Sequence, residues 1–544
     1  MQNVKAFLKK YWIGVVAILL IIAVVLSSVE IYKEEVLNID PDIEYVEKST
    51  LNFCAERIDT LNPLVSQSED VYYISKLIYD PLFDFDENMG VTPCLVDSYT
   101  VNTEKASIKI KLKSGIKCHD GSKLTASDVK FTVDAIKQVG SKSPYYDKAS
   151  KIMTIVANGN RELTIYFNNN YNCSLDVLTF PIVSDAGYSS AYNFAKDTEN
   201  FKPIGTGMYQ YQSYNYLKHL KLKPNKDYFG EVAEKKIKIS IIPDSEKAEG
   251  LMEIEEVCCY IDRDTDRRAI VKDKNLTMYD ITSNQVEFLV FNTKKAYWNK
   301  KEVRQAAAYA IDTEKILETS YASDAVACDT VYFPNFLGVE DTGTSYTFEP
   351  EKAEQMLSAA GLSDTNGDGY LEDPYGNTLT VTILAKKSNT QRVTAAKLIA
   401  DDLQDVGLKC TVSQLSGSAY KSAMSSGKFD ILIAGYEVEE TFDLRELFNG
   451  KNAWGYYGYT LYDKARQLER LYDTDELKEK YQELKEALLD EMPYYALCYK
   501  KMGLIGASGF EAEKLPTFNN IYKNCNTWSW KVEKKTEESD SESE

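Results

Sequence analysis

Three short constellations carry residue types that can do chemistry. The stretch GIKCHDGSKLTASDVKFTVDAI at 115–136 sets Cys118, His119 and Asp120 in a row, all possible zinc ligands. The chain has only two His, though, and His219 lies far from His119, so a histidine in a turn is the expected reading. The segment DTNGDGYLEDPY places Asp364, Asn366, Asp368 and Glu372 at positions 1, 3, 5 and 9 of an EF-hand-like loop, with Gly369 at its sharp turn. Position 12 is Tyr375 where a bidentate Glu belongs, and GNTLTVTIL beyond it reads as a strand, so a polar turn is expected and these four are secondary metal candidates. S-x-x-K occurs at Ser114, Ser418 and Ser425 without K-T-G or S-D-N partners, while G-x-S-x-G, H-E-x-x-H and a Walker loop are absent. A membrane-anchored hydrolase is therefore the least favoured class: no enzymatic activity and no cofactor are expected.

The elements around the first constellation explain it as scaffold. Thr125 followed by Asp128 resembles a capping box, and Val129, Val133 and Ile136 then recur at helical spacing, with Phe131 and Ala135 widening the apolar face. Upstream, Asp-Gly in HDGS signals a tight turn after a strand. Strand-like KASIKIKLK and RELTIYF alternate with helical KKEVRQAAAYAIDTEKIL and TAAKLIADDLQDVGL, which argues an α/β or α+β body of more than one lobe. The ten Cys are scattered without a CxxC pair, and the adjacent Cys258 and Cys259 are expected as buried thiols rather than a strained disulfide.

Charge and hydropathy narrow the setting. With 63 basic and 83 acidic side chains the formal charge is -20, so no nucleic acid partner is expected. Residues 11–29 are uncharged and apolar, long enough as a helix to cross a bilayer core. Lys5, Lys9 and Lys10 precede this run and acidic residues follow it, which puts Met1 in the cytoplasm and the rest outside. The expected organisation is a cytoplasmic stub (1–10), a transmembrane anchor (11–29), a tether (30–48), a folded body, and a disordered acidic tail (531–544).

Five ordered segments resemble the family 5 extracellular solute-binding proteins, the oligopeptide- and dipeptide-binding components of ABC importers. They are DTLNPLVSQSEDVYYISKLIYDPLFDFDEN (59–88), the opening stretch extended to LKSG, PIGTGMYQYQSYN (203–215), VFNTKKAYWNKKEVRQAAAYAIDTEKIL (290–317) and FEPEKAEQMLSAAGL (348–362). The resemblance implies a two-lobed, type II periplasmic-binding-protein-like α/β clamp with an extra subdomain in lobe 1. Lobe 1 spans 49–283, lobe 2 spans 284–499, and 500–530 returns to lobe 1. It further implies a monomer on the outer face of the membrane of a Gram-positive bacterium, capturing peptides for a permease and its ATPase subunits. A ligand of nickel, haem or a glycan, or a sensing role without import, are the alternatives within the same fold.

The resemblance also points to site residues. In the peptide-binding branch a strand ending A-G-W precedes a carboxylate that pairs with the ligand's α-amino group. Here FDILIAGYEVEETFD puts Tyr436 at the Trp position and Glu439 near the carboxylate, with Glu437 beside it. Basic residues for the ligand carboxylate are missing before AGY, where Ile433 stands, so Lys386, Lys387 or Arg392 would substitute, with Arg392 preferred. In AWGYYGYTLYD, Trp454 and Tyr456 are the aromatic pocket candidates.

Overall fold

The computed structural model describes residues 45–534 except 169–173, 200, 245, 264–275, 341–344, 440–442 and 469–470. The expected anchor at 11–29, most of the tether and most of the acidic tail lie outside the described residues. Among those described, no helix is long and apolar enough to cross a membrane.

The first lobe is built on a four-stranded sheet in the order Thr50–Ala55, Lys236–Ile241, His219–Pro224, Tyr209–Asn215. The first two strands are parallel, with Phe53 opposite Ile239, and the others antiparallel. Side chains alternate across a strand, so Leu51, Phe53, Leu220, Leu222, Ile237 and Ile239 are buried while the residues between them face outward. A second antiparallel sheet of four strands contains Ser107–Leu112 and Glu162–Phe167, within the two segments read as strands, paired with Ile110 opposite Leu163.

The helix expected after Thr125 runs Ala126–Val139 and buries Val129, Val133, Ala135 and Ile136. Asp128 Oδ2 accepts from both the Thr125 N–H and its hydroxyl at 2.8 Å, which fixes the helix start. The turn before it places His119 between two glycine peptides. Its Nδ1 accepts from the Gly205 N–H at 3.3 Å, so Nε2 carries the proton and donates to the Gly207 carbonyl at 3.0 Å. Burial lowers the His119 pKa, which favours this neutral form. Both ring nitrogens are thus committed to scaffold.

The second lobe carries the largest sheet, ordered Cys259–Asp262, Tyr494–Gly506, Thr277–Phe291, Ile431–Glu437, Thr380–Lys386, Lys409–Leu415. Alternation sorts its core strictly. Leu289, Phe291, Ile431, Ile433, Val381 and Ile383 pack beneath helices that include Lys301–Ala310 and Thr390–Asp405. Val286, Phe288, Val290, Leu432, Ala434 and Leu384 face the opposite way, into a core shared with helix Thr474–Glu491 and the first lobe. Thr277–Phe291 and Tyr494–Gly506 are the two long strands of this sheet, and their pairing shifts register between Thr282 and Val286. All nine described cysteines are free thiols, and the Sγ atoms of Cys258 and Cys259 lie 3.9 Å apart.

Candidate ligand-binding site

Strand Ile431–Glu437 begins fully buried and rises to the surface at Gly435 and Tyr436, which are half-buried, and Glu437, which is exposed. Chain direction is then held by Asn284: its carbonyl accepts from the Val438 N–H at 2.8 Å and its amide donates to the Val438 carbonyl at 3.0 Å. Glu439 follows, exposed. Burial pushes the Tyr436 phenol up to about 12, and the carboxylates of Glu446, Glu439 and Asp443 push in the same direction. The ring therefore sits in a negative field, although Asp443 is paired with Arg445 at 2.6 Å.

A cavity of about 280 Å³ opens beside this ring, lined by Tyr436, Glu446, Leu447, Asn449, Asn452 and Trp454 among others. Its aromatic wall is rigid. The Trp454 Nε1–H donates to the Tyr494 hydroxyl at 3.0 Å, that hydroxyl reaches the Leu447 carbonyl, and Phe288 meets Trp454 edge-on at 5.7 Å. The floor loop is tied by Asn452, which accepts from the Tyr456 N–H at 2.9 Å and donates to the Tyr456 carbonyl at 2.7 Å. The expected Tyr436 and Trp454 are thus brought together. Tyr456 is not among the lining residues; its ring packs on Tyr494 at 5.4 Å. Glu446 was missed, because nothing along EVEETFDLRE distinguishes one of its five carboxylates from another.

Arg392 lies on the other face of the same strand. It starts helix Thr390–Asp405, where the Asn389 side chain caps its N–H at 3.0 Å. Its guanidinium clasps Glu287 through Nε at 2.6 Å and Nη2 at 2.8 Å, with Lys500 Nζ 3.5 Å from the same carboxylate. Burial pulls the Arg392 pKa down, but Glu287 more than offsets it and the net shift is upward. Glu287 is only 2 % exposed, so this is a buried ionic cluster with two cations for one carboxylate. Arg392, expected from the sequence as the partner of a ligand carboxylate, is here engaged with Glu287. A Cβ on Gly435 would lie 1.9 Å from Arg392 Nη2, so the strand needs glycine there to let the guanidinium lie against it.

A larger cavity, about 450 Å³, lies where strand Thr50–Ala55, helix Glu69–Ile78 and strand Cys259–Asp262 converge. Gln67, Glu69, Tyr73, Tyr260 and Arg263 are among its lining. Arg263 pairs with Glu69 and donates from Nη2 to the Tyr73 hydroxyl at 2.9 Å, while Asp70 accepts from the N–H groups of Glu56 and Arg57 at 2.9 Å each. None of the site residues expected from sequence lines it, since it is assembled from segments distant in the chain.

Residues 90–449 match the sequence model of the bacterial extracellular solute-binding proteins, family 5 (middle region). The chain belongs to this family. As a solute-binding protein it serves transport, and it is not an enzyme. It is 24% identical over 489 residues to the oligopeptide-binding protein AppA of Bacillus subtilis, covering 86% of this chain and 89% of that one. It is 22% identical over 397 residues to the glutathione-binding protein GsiB of Pectobacterium atrosepticum, covering 72% of each. The periplasmic murein tripeptide-binding protein MppA in its unliganded open form superposes with a TM-score of 0.72 at 16% identity, covering 91% of this chain and 99% of that one. The fold is therefore the periplasmic-binding-protein-like α/β fold.

In this solute-binding protein the acidic turn at 364–375 is largely self-satisfied. Asp364, Asp368 and Glu372 do converge, their oxygens lying within 4.8 Å of one another. Yet Asp364 accepts from the N–H groups of Gly367 and Gly369 at 2.7 and 3.0 Å, which lowers its pKa. Buried Glu372 accepts from the Thr365 N–H at 2.8 Å and from the Asn366 amide at 3.1 Å. Tyr375 at position 12 is exposed, and the chain continues into strand Thr380–Lys386. These donors hold a turn, and Tyr375 stands where an EF-hand loop carries its bidentate Glu.

Proposed function

We propose that this protein captures peptides between its lobes and delivers them to the permease of an ABC transporter, powered by that transporter's ATPase subunits. The observation that carries the peptide reading is the aromatic cavity of Tyr436 and Trp454 beside Glu446 and Glu439. An ammonium over an aromatic face is stabilised by the ring quadrupole, and a carboxylate at the rim adds a charge-assisted hydrogen bond. Glu439 and Glu446 hold the ligand's α-amino end, with Tyr436, Trp454 and Glu437 around it. Arg392, with Lys500, holds Glu287 behind the strand that carries Tyr436 and so supports that strand from its other face.

Lobe 1 is 49–283 with 500–530, and lobe 2 is 284–499. Both divisions fall within the two long paired strands, and the register shift between Thr282 and Val286 is the natural hinge. A ligand favours closure by touching both lobes. The protein works as a monomer held outside the cell by the apolar run at 11–29.

Native mass spectrometry of the purified full chain, followed by denaturation, tests the ligand class. A ladder of co-purified peptides is expected, depleted about tenfold or more in Glu439→Gln combined with Glu446→Gln. A single non-peptide mass overturns the ligand class; peptides retained by the double variant overturn the site. Release of the intact chain from cells without detergent overturns the anchor.

A further inference from the structure

The outward face of the first lobe's sheet runs against the charge of the whole protein. Between 218 and 238 seven lysines stand against only Asp227, Glu231 and Glu234, in a chain of formal charge -20. Alternation brings Lys221, Lys223, Lys236 and Lys238 to the same outward side, since Leu220, Leu222, Ile237 and Ile239 between them are buried. Lys221 is paired directly opposite Lys238 across the antiparallel ladder. Like charges opposite one another destabilise a sheet, so this arrangement carries a cost within the fold. Lys238 is offset by Glu256 at 2.7 Å and Lys235 by Glu47 at 2.9 Å. Lys218, Lys221, Lys223 and Lys236 form no ion pair among the described residues. His219, on the same face, has its pKa lowered by burial and by Lys221, Lys238 and Lys218, which reports the positive field there.

The hairpin joining two of these strands ends in an apolar tip. Tyr216 and Leu217 are 69% and 63% exposed, and the turn is closed by Lys218 N–H donating to the Asn215 carbonyl at 3.0 Å. Leu217 has φ +56°, a left-handed conformation unfavourable for a leucine, so the tip holds an apolar side chain outward at a backbone cost. Tyr214 lies behind Tyr216 with ring centroids 6.4 Å apart. Tyrosine and leucine at the tip with lysines behind it is the composition of a segment that enters a membrane interface: rings at headgroup level, leucine into the acyl boundary, ammonium groups on phosphates.

We propose that this lysine face and its Tyr216–Leu217 tip form a docking surface for an anionic lipid bilayer. The partner is identified by charge complementarity together with the apolar tip. A soluble polyanion would engage the lysines and leave Tyr216 and Leu217 in water, whereas a bilayer satisfies both. The surface holds the first lobe against the membrane and restricts the orientations in which the clamp meets its permease.

The test uses the full chain in phosphatidylcholine nanodiscs with and without phosphatidylglycerol, followed by hydrogen exchange. The N-terminal apolar run with Lys5, Lys9 and Lys10 is the same in every variant, so the response of the folded surface is read from its own amides and from the Lys221 and Lys223 substitutions. Amides of 211–224 are expected to exchange about tenfold more slowly with phosphatidylglycerol, and Lys221→Gln with Lys223→Gln to abolish that difference. Tyr216→Trp is expected to emit at shorter wavelength only on the anionic discs. Equal exchange on both lipids overturns the proposal. Equal protection by soluble polyphosphate, without the emission shift, overturns the membrane in favour of an anionic polymer. These side chains lie outside the ligand cavities, so unchanged peptide content confirms that each variant is folded.

Discussion

Replacing Gly435 with alanine tests the buried ionic cluster through the backbone that accommodates it. The added Cβ would sit 1.9 Å from Arg392 Nη2 and 2.7 Å from Glu287 Oε1, well inside van der Waals contact. Because Gly435 is held in the ladder opposite Glu287, within a run of pairs from Gln285 to Phe291, the guanidinium yields more readily than the backbone. Yielding breaks two charge-assisted bonds of 2.6 and 2.8 Å to a carboxylate that is 2 % exposed, leaving it with Lys500 at 3.5 Å. Breaking a buried pair costs about 3 kcal/mol, and in a lobe of this size each kcal/mol lowers Tm by about 3 °C. Gly435→Ala should therefore lower the melting temperature of the second lobe by about 10 °C. Arg392→Ala should do much the same, having lost the same pair. Once the guanidinium is gone the contact left to the Cβ is the Glu287 Oε1 at 2.7 Å, the end of a side chain then free to turn away, so the double variant should also fall by about 10 °C, against about 20 °C if the two acted independently. Scanning calorimetry of the four proteins gives the coupling, expected at about 3 kcal/mol. Additive losses would refute the reasoning, since the alanine would then act on something other than Arg392.

Two further predictions concern other parts of the molecule. Asp80 is buried, and although Thr206 and Tyr228 donate to it at 2.6 and 3.2 Å, burial raises its pKa to about 6. The folded state then binds a proton more tightly than the unfolded chain, so this group's contribution to stability falls as pH rises from about 4 to about 6. Asp80→Asn should flatten the Tm profile over that window relative to wild type, and parallel profiles would show that Asp80 does not titrate there. Millimolar calcium should leave Tm unchanged, because the carboxylates at 364–372 already serve the turn; a rise of several degrees would mean they hold the ion.

Local signals were the legible ones. The capped helix after Thr125, the strands at 107–112 and 162–167, and the turn holding His119 each follow from a few neighbouring residues. Tyr436 was singled out by the family pattern and Trp454 by its aromatic cluster, and the strand's emergence at Gly435 brings the two to one cavity. What escaped depends on faces and distance. Glu287 stands in the apolar run QVEFLVF, where alternation with Leu289 and Phe291 places it inward and calls for a cation, but nothing local names Arg392 as that cation. The same alternation puts Arg392 and Tyr436 on opposite sides of one strand, a separation invisible to residue type. Glu446 and the Arg263 cavity depend on how loops fold back, which spacing along the chain does not encode.

The last strand, Trp528–Glu533, pairs with Tyr45–Glu47 at the start of the folded body, and Tyr522 and Trp528 pack on Phe53 at 5.1 and 5.8 Å. This closure sets an order of assembly. As the chain emerges N-terminus first, the opening strand of the first lobe has to wait for 528–533, while Thr277–Phe291 in the largest sheet waits only for Tyr494–Gly506. Long-range closures of this kind are slow, so the second lobe should be structured first. The first lobe then remains open to proteases until 528–533 has paired, and truncation before Trp528 should leave a stable second lobe joined to an unfinished first one.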